Sequence, residues 1–465
     1  MALLNIASPG RKWASATLLA LDVLGLVVSM NIAYKPKTGV WIPFPSVPLL
    51  GLLAVTILCL YVMDVYGIDS TQSRWRVAGK TVLAIIVAGI AITGAVYVAG
   101  VLRLRDEPLF WRSVLPFGML GFSCIAVASR LIVAHTVKET ERKRQWLIVG
   151  IGERLDEFAK DFCESSIDGR ACIFPLDKQS RGSIPGSSPR IEYATNNDIN
   201  DLLTRNWTGI VIASDTQISE ELLETLMRVR LSGTDVYDLA DFYENYWLRV
   251  PIHQIKDLWF VNSDGFSLIH HEIVLNVKRL IDIWMAILIL VVFAPVMLIA
   301  GFAIKVNDGG PILYRQRRTG VGRRSIEIVK FRTMRVDAEK DGVKWAARDD
   351  PRVTSVGRVL RLIRIDELPQ LWNVLRGEMS CIGPRPERPE FTKQLEDEVP
   401  YYDLRYLVKP GLTGWAQVMH PYGSSVEDAR RKLEYDLFYI KNHSIWLDLL
   451  IAMKTIRVML FGRGR

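Results

Sequence analysis

The sequence predicts a membrane protein of mixed α and α/β class. It reads as a four-helix transmembrane bundle, a small Rossmann-like α/β domain, and a mostly α-helical C-terminal domain that carries a re-entrant membrane helix. Three observations predict this. Apolar runs of roughly 20 residues, each long enough to span a bilayer, crowd the first third of the chain. Short strand-like runs alternate with helical ones in the middle, the pattern of a doubly wound sheet. A further apolar run, interrupted by a proline, precedes a strongly basic C-terminal region. The 465 residues are 49% hydrophobic with a positive mean hydropathy, too apolar for a wholly soluble protein.

The bundle is predicted over residues 11–135, with spans at 14–34, 47–66, 81–102 and 114–134. The first span carries Asp22 and follows Arg11-Lys12 without a small-residue cleavage site, so it reads as a retained anchor rather than a signal peptide. Arg11-Lys12, the loop with Arg74, Arg76 and Lys80, and the segment with Lys138, Arg142, Lys143 and Arg144 predict a cytoplasmic side for those positions. Lys35, Lys37, Arg103 and Arg105 in the intervening loops make that asymmetry modest. The five cysteines (Cys59, Cys124, Cys163, Cys172, Cys381) are scattered and odd in number, which fits a reducing compartment and implies no disulfide or zinc framework. His270-His271 would diverge on either a helix or a strand, so no histidine-based metal site is expected.

The α/β domain is predicted over 145–245. Strands are expected at 146–149, 171–175, 209–213 and 234–237, with helices at about 152–162, 198–205 and 219–231. Gly150-Ile151-Gly152 follows the first strand, but Leu155 occupies the third position of a dinucleotide-binding glycine loop. A bound nucleotide and a structural role both remain open for it. After a linker at 246–277, the domain 278–465 begins with a predicted re-entrant helix at 279–306. Pro295 removes a hydrogen bond and bends the axis, so the segment can dip into one leaflet and return; a kinked spanning helix is the alternative. Asp282, costly in hydrocarbon, is expected at the interface with Arg279 or another arginine as partner.

From Lys305 onward there are 30 Lys and Arg against 21 Asp and Glu, so the excess charge of the whole chain (+8) is concentrated here. Beside a membrane segment, this suits anionic headgroups and phosphorylated substrates; nucleic acid is excluded, because membrane attachment separates the domain from it and no reader motif is present. The run 445–461, with Lys454 and Arg457 three apart, is an amphipathic helix that either lies on the membrane or packs on the core.

The chemistry concentrates in Arg361-Leu362-Ile363-Arg364-Ile365-Asp366-Glu367-Leu368-Pro369. Pro369 is tolerated only in a helix's first turn, which places Asp366 at the N-cap or first position of a helix, where negative charge is favoured. Arg358, Arg361 and Arg364 at a spacing of three are expected on one face of the preceding helix, with Val359, Leu362 and Ile363 turned to the core. Two carboxylates facing cations suit phosphoryl chemistry; an ordinary N-cap with surface arginines would give the same pattern. Lys330 and Arg332, two apart on a predicted strand, should share a face. Gly383-Pro384-Arg385-Pro386 is a rigid turn that fixes one guanidinium, and Lys409-Pro410-Gly411-Leu412-Thr413-Gly414-Trp415 is a second glycine loop behind a cation. Asp349-Asp350 reads as a loop or helix-entry pair.

Taken together from Lys278 to the C-terminus, these motifs resemble those of the bacterial sugar transferases. The shared pattern comprises Lys278-Arg279 with Asp282 and Pro295, Lys330-Phe331-Arg332-Thr333-Met334, Arg361, Asp366-Glu367-Leu368-Pro369-Gln370-Leu371-Trp372-Asn373, and the two loops above. With four spans and an α/β domain in front, the chain is similar to the large monotopic polyprenyl-phosphate phosphoglycosyl transferases. The stretch from His420-Pro421-Tyr422 and the ending Leu460-Phe461-Gly462-Arg463 resemble the exopolysaccharide branch. The resemblance implies transfer of a hexose-1-phosphate, glucose by family frequency, from a UDP-sugar to undecaprenyl phosphate with release of UMP. That is the membrane-committed first step of exopolysaccharide or O-antigen assembly, on the cytoplasmic side of the bacterial inner membrane. It further implies Asp366 as nucleophile through a covalent phosphosugar-aspartate, Glu367 as its partner, both as ligands of Mg2+, and Lys330, Arg332, Arg361 and Arg385 as phosphate-binding residues.

Physics agrees with that assignment. A carboxylate approaching a pyrophosphate is repelled by roughly 4 kcal/mol per charge pair at about 4 Å and an effective dielectric of about 20, so cations must offset it. A membrane-bound nucleotide-sugar-modifying enzyme would need a complete glycine fingerprint and Tyr-x-x-x-Lys, both absent. A non-catalytic scaffold or regulator of polysaccharide assembly would not need the acidic pair. The α/β domain, set between two membrane modules, is a candidate homodimer interface.

Overall fold

The computed structural model describes every residue except 1–8, 44, 68–73, 102–107, 112, 166–168, 177–190, 195–198, 204, 215–217, 337, 339–349, 421–424 and 462–465. Arg103, Arg105, Asp349 and most of the 420–424 stretch therefore lie outside the described residues. The chain divides into two compact units with the boundary between Trp247 and Leu248.

The first unit opens with helices α1 (Pro9–Thr38), α2 (Val47–Val62), α3 (Arg74–Val101) and α4 (Leu115–Arg142). Of these four, α1, α3 and α4 are long and apolar enough to cross a membrane, as is the helix Glu272–Asp308 of the second unit. The second predicted span is shorter than expected. Pro48 starts α2 where its missing N–H costs nothing, but the helix stops at Val62 and Asp64 takes a left-handed φ of 58°, so its 16 residues reach only about 24 Å. Helices α1 and α4 approach closely along glycines. A methyl group at Gly118 would lie 2.3 Å from Met30 Sδ, and one at Gly121 2.5 Å from Ser29 Oγ. Beside this seam Arg130 makes a two-pronged ion pair with Asp22 at 2.8 and 2.6 Å, both side chains 1% exposed. Asp22 is thus tolerated in the apolar run because α4 supplies its counter-charge.

The α/β domain follows in the same unit: β1 (Gln145–Gly150), α5 (Gly152–Glu164), β2 (Arg170–Pro175), β3 (Ile191–Tyr193), α6 (Ile199–Leu203), β4 (Gly209–Ala213), α7 (Glu220–Leu231), β5 (Asp235–Asp238) and α8 (Leu239–Phe242). The strands form one parallel sheet in the order β3-β2-β1-β4-β5, with Trp146 level with Ala171 and Gly209. The edge strand β3 was not expected; three residues are too few to carry an alternation. A Cβ at Gly150 would sit 2.1 Å from the Ala213 carbonyl oxygen, and Gly152 has φ of 64°. Backbone geometry therefore accounts for both glycines of the Gly-x-Gly without a ligand.

The second unit begins with α9 (Asp257–Asn262), α10 (Ser267–His270) and the 37-residue α11 (Glu272–Asp308). An antiparallel hairpin follows, β6 (Leu313–Thr319) with β7 (Ser325–Phe331), then α12 (Ser355–Leu362), a 3-10 turn (Ile365–Gln370) and α13 (Leu371–Arg376). Strands β8 (Ser380–Ile382) and β9 (Gly411–Thr413) pair in parallel, with α14 (Pro389–Glu398) and a 3-10 turn (Tyr402–Leu407) between them. Helices α15 (Trp415–Met419), α16 (Val426–Lys441) and α17 (Ile445–Phe461) complete the unit.

Helix α11 runs through Pro295 without a break in its helical assignment. Its first flank is tied down by Lys278 to Asp448 at 2.8 Å and by Arg279, which donates to the carbonyls of Val374 and Leu375. Asp282 accepts from the Cys381 N–H at 3.0 Å instead of pairing with an arginine. At the other flank Ala300 and Ile304 pack on Phe331 and Leu360. Residues 291–296 between them are exposed on every side.

Two local expectations are corrected. Val359, Leu362 and Ile363 are exposed, and Gly357 and Leu360 face inward. The helix ends at Leu362, and Arg364 leaves it with φ of 58°, so Arg358, Arg361 and Arg364 do not share one helical face. Helix α17 packs on the core through Leu447, Leu450 and Ile451, whereas Ile445, Trp446 and Leu449 are exposed.

Truncating one member of the buried pair in the bundle strands the other charge. Asp22→Ala is expected to destabilise the detergent-solubilised protein by about 3–5 kcal/mol, more than the double replacement Asp22→Ala/Arg130→Leu, as read by thermal unfolding.

Candidate active site

The acidic pair sits on the 3-10 turn Ile365–Gln370, one position later than expected, because Arg364 takes the N-cap position in a left-handed conformation. Such a backbone is costly for a residue with a Cβ and turns the chain sharply from α12 into the acidic turn. Pro369 falls within this short turn, and the regular helix α13 starts only at Leu371. Asp366, Glu367, Leu368, Pro369 and Gln370 are all buried.

The two carboxylates are treated differently. Glu367 Oε1 accepts from Arg385 Nη2 at 2.6 Å and from Arg364 Nη1 at 3.4 Å. Asp366 Oδ1 is buried without a hydrogen-bond partner, and Gln370 Nε2 on the same turn is likewise unsatisfied. Burial, with the charge of Glu367 beside it, pushes Asp366 up to about 6, against the pull of Lys330, Arg361 and Arg364. Burial would also raise Glu367, but Arg385, Lys330 and Arg364 override it and hold that carboxyl far below the usual range. Burial and then Arg385 bring Lys330 down to about 7, with Glu367 and Asp366 opposing. One carboxylate is neutralised by fixed guanidinium groups, and the other keeps an oxygen without a protein hydrogen bond.

The surrounding elements explain the placement. Asn373, fully buried, accepts from the Val329 N–H at 3.1 Å and donates to the Glu327 carbonyl at 2.8 Å, fastening α13 to β7 and so holding the strand of Lys330 against the acidic turn. Gly357 lets α12 press on the loop after β7, since a Cβ there would meet the Thr333 carbonyl oxygen at 2.0 Å; one turn later Arg361 Nε donates to Thr333 Oγ1 at 2.8 Å. Arg332 lies just past β7 and pairs with Asp308 at the end of α11, its Nη1 buried without a partner. Lys330, Arg361 and Arg385 therefore act electrostatically on the acidic pair, while Arg332 is engaged at the end of α11. Asp350 is taken by Arg352 at 2.6 Å.

Sequence reasoning missed Arg318. It stands on β6 beside Gln316, whose Oε1 it grips at 2.7 and 3.1 Å, and its charge contributes to lowering Lys330. The available signal was the alternation Tyr314, Gln316, Arg318, which the hairpin register sets on the same face as Lys330, opposite Tyr314.

Among the described residues no cluster of three or more His, Cys, Asp or Glu side chains could hold a metal ion. Magnesium, however, is usually bound by one or two carboxylates with substrate phosphates completing the shell. The orphaned Asp366 oxygen and the adjoining Glu367 fit that donor set.

Residues 273–462 match the family described as bacterial sugar transferase. A UDP-glucose:undecaprenyl-phosphate glucose-1-phosphate transferase of Caulobacter vibrioides is 44% identical over 185 residues, 39% of this chain and 69% of that protein. A protein of the same description from Xanthomonas campestris pv. campestris is 29% identical over 96% of this chain and 95% of its own length. A UDP-N-acetylgalactosamine-undecaprenyl-phosphate N-acetylgalactosaminephosphotransferase of Aeromonas hydrophila is 43% identical over 250 residues, which span 54% of this chain and 58% of that protein.

The unequal pair has a thermodynamic signature. Ionised Asp366 costs stability above pH 6, and the cost fades as the pH falls towards its ordinary value of 3.8. Asp366→Asn should therefore raise the melting temperature by a few degrees at pH 8, a gain lost by about pH 4, whereas Glu367→Gln should lower it by leaving Arg385 and Arg364 without counter-charge. Destabilisation by Asp366→Asn at pH 8 in a thermal unfolding series would contradict this division.

Proposed function

We propose, because the chain belongs to the bacterial sugar transferase family, that it transfers a hexose-1-phosphate from a UDP-sugar to undecaprenyl phosphate and releases UMP. The observation that carries this reading is the division of the acidic pair: Glu367 is locked by Arg385, and Asp366 is left with an unpartnered oxygen. A carboxylate so placed is a nucleophile held ready, and the raised affinity for its proton makes it a stronger one than an exposed aspartate.

The reaction balances without a net proton. An Asp366 oxygen bonds to the β-phosphorus of the donor, the bond from that phosphorus to the bridging oxygen breaks, and UMP departs with its electron pair. An oxygen of undecaprenyl phosphate then bonds to the same phosphorus, and the electron pair of the acyl phosphate bond returns to Asp366. Lys330, Arg361 and Arg385 offset the charge that gathers on the phosphoryl oxygens. Magnesium, held by Asp366 and Glu367 when bound, would supply further positive charge to those oxygens. Two half-reactions suit substrates of unlike solubility, since UMP leaves before the lipid attacks.

The membrane arrangement follows the same logic. Both flanks of α11 are fastened to one compact unit, and the stretch between them stands free. A straight helix of this length would measure about 55 Å and carry its ends to opposite sides of a bilayer of about 30 Å. A bend at Pro295, which lacks an N–H and crowds the Val291 carbonyl, lets both ends return to the cytoplasmic side of the inner membrane. The exposed Val359, Leu362 and Ile363 then have lipid to cover them. The donor sugar is proposed as glucose, because the relative of that description aligns along nearly the whole chain.

UMP release from UDP-glucose and UDP-N-acetylgalactosamine, with undecaprenyl phosphate and magnesium, tests the reading. Lipid-dependent UMP from one donor, falling by about a thousandfold or more in Asp366→Asn, is expected; UMP from neither, or turnover indifferent to Asp366, would overturn it. The kcat/KM profile should rise with pH through about 6, and Glu367→Gln should move that limb to lower pH by removing the charge that helps raise Asp366. For α11, cysteines placed at Val277 and Val306 in a cysteine-free background should react with an impermeant maleimide from the same face of oriented vesicles. Labelling from opposite faces would make the helix a span.

A further inference from the structure

The loop that carries Arg385 has an anchoring problem set by its own sequence. Pro384 and Pro386 flank Arg385 and have no N–H, so beyond Gly383, whose N–H donates to the Thr413 carbonyl at 2.8 Å, the turn has few donors to pin it. It is held chiefly through its carbonyl oxygens. The Pro384 carbonyl accepts from the Gly411 N–H at 2.8 Å, that of Arg385 from Arg405 Nη2 at 2.9 Å, and that of Pro386 from Arg318 Nη1 at 3.2 Å.

Arg405 is the unusual member of this set. Its side chain is 4% exposed, a costly position for a charge, and Asp436, 2% exposed, compensates it at 2.9 Å. The Tyr402 hydroxyl takes its other nitrogen, and Glu387 approaches at 3.9 Å. A buried guanidinium with its counter-ion provides more than one neutral hydrogen bond could, since a charged donor grips a carbonyl more firmly and its fork fixes direction. Asp436 lies on α16, so that helix supports the anchor on the Arg385 carbonyl.

We propose that Arg405, balanced by Asp436, is a positioning residue: it holds the backbone of Arg385 so that the guanidinium meets Glu367 and the donor's phosphates in register. The proposal rests on the phosphotransferase reading above. Arg405 makes no hydrogen bond or ion pair to the acidic pair, and its effect on turnover passes through Arg385. A displacement of the order of 1 Å at a charge-stabilising group costs about a hundredfold in rate.

A double-mutant cycle tests it. UMP release by the intact protein reports on the phosphotransferase reading, and the cycle reports on the loop alone. Arg405→Lys keeps the charge but not the fork, and should lower kcat by about 10- to 100-fold with Arg385 present, yet less than about twofold in the Arg385→Ala background. Where Arg385→Ala leaves no measurable turnover, the dissociation constants of UDP for the same four proteins are compared by the same criterion. If Arg405→Lys does not yield folded protein, the near-isosteric Asp436→Asn takes its place in the cycle. Equal losses in both backgrounds would mean that the buried pair serves folding alone, and would overturn the proposal.

Discussion

The ion pair between Glu367 and Arg385 divides two adjacent carboxylates into different chemical species, and the rest of the second unit is arranged around that division. Without a cation on Glu367, two buried anions side by side could not both stay ionised, and a shared proton would leave neither one singled out as the nucleophile. With it, Glu367 stays ionised as part of the scaffold, and Asp366 bears the strain of burial alone. The left-handed Arg364 is part of the same device, since it bends the chain into the 3-10 turn and also reaches Glu367.

Holding that geometry requires stiffness from several directions. Asn373 joins the acidic turn's helix to β7, Gly357 lets α12 close on Thr333, and α16 underpins the proline-flanked loop from below. Helix α11 belongs to the same framework. Lys278 meets Asp448, which also accepts from Tyr439, and the Tyr439 oxygen lies 3.1 Å from the Ile382 carbonyl. Helix α11 and the strand that leads into the loop of Arg385 thus meet at one cluster of buried polar groups. Such a cluster is costly to assemble in part, which favours a single arrangement of the whole unit.

Much of this was legible in the sequence where the signal is local. The strand from Trp146, the parallel α/β pattern and the apolar helix around Pro295 announce themselves by periodicity, and the grouping of Asp366 with Glu367 is visible from adjacency. What could not be read is what depends on register and on cations arriving from elsewhere. Which of two neighbouring acids would be neutralised was decided by Arg385, 18 residues away. Arg332 was expected with Lys330, but Asp308 at the end of α11 holds it. Val359, Leu362 and Ile363 were assigned to a core by the usual rule, but Gly357 and Leu360 take the inward face and leave all three exposed. Arg318 stayed hidden because β6 was not recognised as the partner of β7.

The central claim is that Asp366 is the free carboxylate and therefore becomes covalently bonded to phosphorus. The most direct measurement is the intact mass of the protein after brief exposure to UDP-sugar and magnesium without lipid acceptor, followed by acid quench and peptide mapping. The account predicts a mass increase equal to one hexose phosphate on the peptide bearing Asp366, absent in Asp366→Asn and discharged by undecaprenyl phosphate. An unmodified protein that releases UMP only when the lipid is present would contradict it, and would mean that the lipid phosphate attacks the donor directly.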